Sequence, residues 1–294
     1  MAFVPQRLLG LVDLSPMSPA VLSWARLLAQ SYQAKVEVIH ALWIPKLAAV
    51  EEGSPPVLSF EVFGTETEGR LNALAEAAFG AGVKHHARVV EGHPLKIVLQ
   101  CMEQHPPDLV ILGSHGYDGY ARVMLGSVAE NVLRTAHCPI LIVKGAPLSR
   151  DVQALHTILC AVDLGDLARY CVLTAGDLAN ILEADLHVAH VAAPGVPLEQ
   201  ARASLSAWIP DAVWSCGRVR EVVLQGNPAE KIVTYARSTQ ADLAVLAAAH
   251  RPFLEFTTLG RTTEGVVRFC PCSVLVIPER TGKPEFTVME PASA

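Results

Sequence analysis

Ten short apolar runs punctuate the chain, and between most of them lie segments whose apolar residues recur with helical spacing. Five runs occupy residues 8–12, 36–41, 88–90, 109–112 and 140–143, and five more occupy 158–162, 186–191, 219–224, 243–246 and 274–277. Runs this short and this continuously apolar read as strands buried on both faces. One amphipathic segment opens at Ser18, read as an N-cap, with Pro19 at the first helical position. Another follows Gly92-His93-Pro94. Strands alternating with helices predict an α/β protein of two similar doubly wound units. Each would be a five-stranded parallel sheet covered by helices on both faces, with right-handed crossovers.

The two sets of runs are copies. Asp13, His40, Gly92, Asp108, Gly126 and Cys138 recur as Asp163, His190, Gly226, Asp242, Gly260 and Cys272. Successive intervals are 27, 52, 16, 18 and 12 residues in the first half, and 27, 36, 16, 18 and 12 in the second. Repetition at this fidelity is a duplication. The 16 extra residues fall between His40 and Gly92, where Pro45, Gly53, Pro55, Pro56 and Gly64 predict an inserted loop or broken helix over 45–67. Turn formers at 145–150 mark the joint. The expected domains are therefore 1–146 and 151–280, followed by a tail at 281–294.

Composition narrows the class. With 51% hydrophobic residues and 18% charged, a large core can be buried. A net charge of −6 without a basic run argues against nucleic-acid binding. The apolar stretch at 8–12 is stopped by Asp13, too soon for a signal-peptide core or a membrane span, so a cytoplasmic, membrane-free protein is expected. Seven scattered cysteines fit reduced thiols rather than a disulfide framework. Cys270-Pro271-Cys272 is the one close pair; lacking a second pair, it reads as buried thiols at a strand start rather than a zinc site.

Chemistry concentrates after the fourth run. Gly113-Ser114-His115-Gly116 is followed by nine residues and then Gly126-Ser127. A strand, a glycine loop and a helix start form a phosphate cradle, because backbone N–H groups converge where no Cβ obstructs them and the helix N-terminus adds partial positive charge. Gly-x-x-Gly, nine residues, then Gly-Ser resembles the ATP-binding signature of the universal stress protein family. The resemblance continues through Cys138-Pro139-Ile140-Leu141-Ile142-Val143 and covers both halves, implying a tandem member. It also implies the strand order 3-2-1-4-5, which sets the Asp13 strand beside the Gly113 strand at the point where ligands bind such sheets. By this resemblance Asp13 and Ala41 lie by the adenosine, and Gly113, Gly116, Gly126 and Ser127 hold ribose and phosphates with Mg²⁺ or Mn²⁺. Val12, Ser114, His115 and Val128 complete the site. ATP, ADP or AMP is the implied cofactor. A homodimer and an intrachain pseudo-dimer through the fifth strands are the implied assemblies.

Plainer readings stand beside these. Ser127-Val128-Ala129-Glu130 fits a capping box. Asp13 can simply cap the turn that follows its strand. His40 and His190 read as satisfied strand-end histidines, and His85-His86 as side chains on opposite sides of a strand. His115 and Arg122 could counter phosphate charge. In the second half Ala247, His250 and Arg261 replace Gly113, Gly116 and Ser127, and only Gly260 survives. Arg261 removes the cap, which Thr262 or Thr263 could take over, and it could bind another anion. The simpler account is a decayed pocket kept as scaffold. The leading functional expectation is a stress-response protein binding one adenine nucleotide in its first half. The rivals are a slow ATPase, for which no residue is an evident general base, and a nucleotide-independent scaffold or chaperone-like protein.

Overall fold

The computed structural model describes residues 3–43, 60–114, 125–149, 155–248, 251–253, 256–258 and 260–279. In the first half the elements are β1 (Arg7–Leu11), α1 (Ser18–Tyr32), β2 (Lys35–Leu42), α2 (Phe60–Phe79), β3 (His85–Glu91), α3 (Pro94–Gln104), β4 (Leu109–Gly113), α4 (Ser127–Thr135) and β5 (Ile140–Val143). The second half opens with β6 (Thr157–Val162), α5 (Asp166–Ile181), β7 (Asp185–Ala192), α6 (Leu198–Trp208), α7 (Asp211–Trp214) and β8 (Val219–Gln225). It continues with α8 (Pro228–Ser238), β9 (Leu243–Ala248), β10 (Arg251–Phe253), β11 (Phe256–Thr258), α9 (Arg261–Phe269) and β12 (Ser273–Pro278).

Ten of these strands form a single sheet in the order β3-β2-β1-β4-β5-β12-β9-β6-β7-β8. Each half thus has the order 3-2-1-4-5, and the second mirrors the first. Every neighbouring pair is parallel except β5 and β12, which meet antiparallel with Leu141 opposite Leu275. The apolar strand-end edges visible in the sequence therefore cover each other.

Successive residues of the central strands enter different cores, as the two-residue period of a strand requires. Leu8, Leu109, Ile111, Leu141 and Leu275 pack with α1, α2 and α5 around Trp24, Leu71 and Val172. Leu9, Val110, Leu112, Ile140 and Val274 pack with α3, α4, α8 and α9 around Val132, Leu133 and Val266. Both cores run across the joint between the halves. No helix among the described residues is long and apolar enough to cross a membrane.

Most repeated landmarks turn out to be scaffold. Asp108 accepts the N–H groups of Gln6 and Arg7 at 2.8 and 2.9 Å, and Asp242 accepts those of His156 and Thr157 at 2.7 and 2.9 Å. Each aspartate anchors the start of the neighbouring strand. Gly92 and Gly226 adopt φ of +141° and +122°, a region that favours glycine. His40 and His190 each bond through Nδ1 to the carbonyl of Val12 or Val162 at 3.0 Å, the satisfied strand-end role expected of them. His85 bonds the Val83 carbonyl and packs on Phe79, while His86 is exposed.

Three local expectations need correcting. Ser18 is not the N-cap: Met17 occupies that position and Ser18 is the first helical residue, with Pro19 second. The reason is Asp13, whose carboxylate accepts both the Ser15 N–H and the Ser18 hydroxyl and so draws the serine into the first turn. Of the expected loop or broken helix at 45–67, residues 60–67 form the start of the 20-residue α2, and residues 45–59 lie outside the described residues. The second half contains an additional antiparallel pair, β10 and β11, that no apolar run signalled.

Candidate functional site

The reversal of strand order between β1 and β4 opens a crevice at the carboxyl ends of the strands. Register brings the candidate residues to it. Leu11 pairs with Leu112 of β4, so Val12 and Asp13 leave the sheet beside Gly113 and Ser114. On the other side the Val12 N–H donates to the Ile39 carbonyl at 3.0 Å, and Ala41 lies two residues further along β2, opposite Val90. Ala41, Leu125 and Val128 share the face of the sheet covered by α3 and α4. Three adjacent strands thus present Ala41, Val12–Asp13 and Gly113–Ser114 along one rim roughly 10 Å wide.

Asp13 has a structural duty. Its Oδ1 accepts the Ser15 N–H at 2.9 Å and the Ser18 hydroxyl at 3.3 Å, fixing the turn into α1. Asp163 does the same for Gly165 at 2.9 Å. His40, beside Asp13, has its pKa lowered chiefly by burial, with its Val12 bond and Asp13 opposing that shift. It is therefore a neutral ring that donates to the Val12 carbonyl, and it pins the strand end that carries Asp13.

The glycine loop is closed at its base. Ser114 is buried, its N–H donates to the Val143 carbonyl at 3.0 Å, and its carbonyl accepts the Gly126 N–H at 2.8 Å. Gly126 is the N-cap of α4, in extended conformation, and among the described residues no side chain caps the helix. The capping box is not formed. Ser127 is the first helical residue and is exposed, while Glu130 turns to Arg134 at 2.8 Å. At this helix start, held against the end of β4, the first-turn N–H groups of Ser127 and Val128 have no intrahelical acceptor. His115, Gly116 and Arg122 lie outside the described residues.

Sequence reasoning passed over two rings at this rim. Trp43, 57% exposed, follows β2 on the side of the pleat that carries Ala41. It packs edge-on against His93, with ring centroids 5.4 Å apart. The Gly92 N–H donates to the Leu42 carbonyl at 3.0 Å and brings the two together. An aromatic residue two positions past Ala41 was the available signal.

The universal stress protein family model matches residues 5–144 and again 154–278. The chain belongs to this family. A universal stress protein of Mycobacterium tuberculosis is 27% identical over 287 residues, covering 90% of this chain and 94% of its own. A universal stress protein of Methanocaldococcus jannaschii is 35% identical over 118 residues, 40% of this chain and 69% of its own. Among solved structures, a universal stress protein from Archaeoglobus fulgidus matches with a TM-score of 0.68 at 21% identity, over 93% of this chain and 98% of that one. At that identity the likeness is one of fold.

The second universal stress protein domain builds its corresponding corner differently. The carbonyl of Ala248, which stands where Ser114 does, accepts the Glu279 N–H at 3.1 Å instead of closing a glycine loop. The Ala247 carbonyl accepts the hydroxyl of the buried Thr263 at 3.1 Å. Thr263 therefore bonds back to the strand, and of the two threonines that could have replaced the cap neither does so; Gly260 is the N-cap of α9, without a side-chain cap bond. Arg261, at the Ser127 position, is exposed. His250 lies outside the described residues.

Proposed function

We propose that this universal stress protein binds one adenine nucleotide, ATP or a close relative, in its first half and acts as a regulatory stress-response protein. The observation that carries the reading is the Gly126–Ser114 bond, which clamps an uncapped helix start against the strand beside Asp13. The residues suit the ligand's two ends. First-turn N–H groups, the Ser127 hydroxyl and the glycine backbone would hold phosphates, and Val12, Asp13 and Ala41 would flank the nucleoside. Among the described residues no group of three or more His, Cys, Asp or Glu side chains could hold a metal, so Mg²⁺ or Mn²⁺ would be carried by phosphate oxygens. Glu130 would not oppose the phosphates strongly, since Arg134 pairs with it. The second half would remain empty of nucleotide, because Ala247 and Arg261 put side chains where Gly113 and Ser127 stand in the first.

Titration calorimetry with Mg·ATP tests this. We expect one site per chain, weakened by roughly tenfold or more, about 1.4 kcal/mol, in Ser127→Arg. Because Ser127 is exposed and caps nothing, the same variant should keep its unfolding free energy within about 0.5 kcal/mol. Two equivalent sites, or none, would defeat the proposal.

A further inference from the structure

Cys270-Pro271-Cys272 connects α9 to β12 at the joint of the two halves. Both side chains are buried, and their sulfurs lie 3.4 Å apart in mutual contact. Pro271 holds Cys270 extended, at φ −61° and ψ 135°, the conformation a following proline favours. The pair is therefore set face to face by the backbone.

A cation reaches the same corner from the other half. Lys144, the residue after β5, donates from Nζ to the carbonyls of Arg268 and Cys270 at 3.1 and 2.8 Å. Its own N–H donates to the Ser273 hydroxyl at 3.1 Å. The thiol bond from Cys272 lowers the pKa of Cys270 from its ordinary value, and Lys144 and Arg237 act in the same direction against burial. The same bond, together with burial, raises that of Cys272. The contact lets either thiol hydrogen-bond the other as its proton leaves, the arrangement that an attacking and a resolving cysteine need. Cys101, Cys160, Cys171 and Cys216 have thiols raised by burial.

We propose that Cys270 and Cys272 are an oxidisable dithiol that hydrogen peroxide converts to a disulfide at the joint between the halves, with thiol reductants reversing the change. The Cys270 thiolate attacks a peroxide oxygen: an S–O bond forms, the O–O bond breaks, and the released hydroxide takes a proton to become water. The Cys272 sulfur then attacks the Cys270 sulfenic acid. An S–S bond forms, the S–O bond breaks, and a second water leaves with the thiol proton. Two thiols lose two electrons and hydrogen peroxide gains them. The sulfurs need only close from 3.4 Å to a bond length of about 2.05 Å. At 3% and 8% exposure the pair excludes a bulky disulfide, which makes a water-sized peroxide the suitable oxidant.

The experiment uses the full chain treated with hydrogen peroxide, quenched, denatured, alkylated and mapped by mass spectrometry. We expect the peptide carrying both cysteines to become two hydrogens lighter and lose alkylation, and a thiol reductant to restore both. In Cys272→Ser the linkage is lost and dimedone captures a sulfenic acid at Cys270. Full alkylation of Cys270 and Cys272 after the half-exposed Cys138 has been oxidised overturns the proposal. So does oxidation that stops at a sulfinic acid on Cys270 beside a free Cys272. The wild-type result alone can decide, so the inference does not depend on the variant folding.

Discussion

Asp13 and Ser127 show how one residue type can be right in place and differ in role. The sequence offers each both a ligand-contact reading and a capping reading. Asp13 takes up its local duty, holding Ser15 and Ser18, with its carboxylate still at the rim. Ser127 does not cap, because Gly126 assumes the cap position and Glu130 is drawn to Arg134. Pattern alone could not decide this, since a capping box and a phosphate-binding start share the same residues. His40 carries a prediction of its own. Burial lowers its pKa in the fold, so the unfolded chain binds the extra proton first. Stability should be full above the ordinary histidine value of 6.5 and fall as pH drops below it. His187, also lowered by burial and bonded to Tyr235, adds to the same slope. Urea midpoints measured against pH should flatten in His40→Gln, and an unchanged slope would exclude His40 as a contributor.

Elements were more legible than residues. Each of the ten apolar runs lies within a sheet strand or overlaps it to within a few positions, because continuous burial on both faces leaves an unmistakable pattern. What the pattern missed depends on local rules. The β10–β11 pair is too short for periodicity to register, and Gly64 and Gly69 do not stop α2 from running through them. Gly92 illustrates an element joint that sequence did mark. Its φ of +141° disfavours any side chain, and an added Cβ would meet the Ile97 side chain at 3.0 Å. Gly92→Ala should therefore cost about 1–3 kcal/mol in chemical unfolding. It should also loosen the turn that sets His93 against Trp43, which Trp43 fluorescence would register as a shift.

At the scale of the whole molecule, the duplication was evident from spacing, whereas the continuous sheet required tertiary pairing. Landmarks shared by the halves are mostly scaffold, and the glycine pattern of the proposed site is what only the first half retains. Leu275 lies directly opposite Leu141 at the joint and is buried in the core shared by both halves. Leu275→Ala should cost about 2–5 kcal/mol. Calorimetric melting should show both halves shifting together in one transition; a shift confined to the second half would mean that the halves unfold independently. The antiparallel meeting of β5 and β12 has one more consequence. It turns the carboxyl ends of the two sets of strands toward opposite rims, with the two crevices roughly 20 Å apart across the sheet. Whatever occupies one rim therefore leaves the other sterically open.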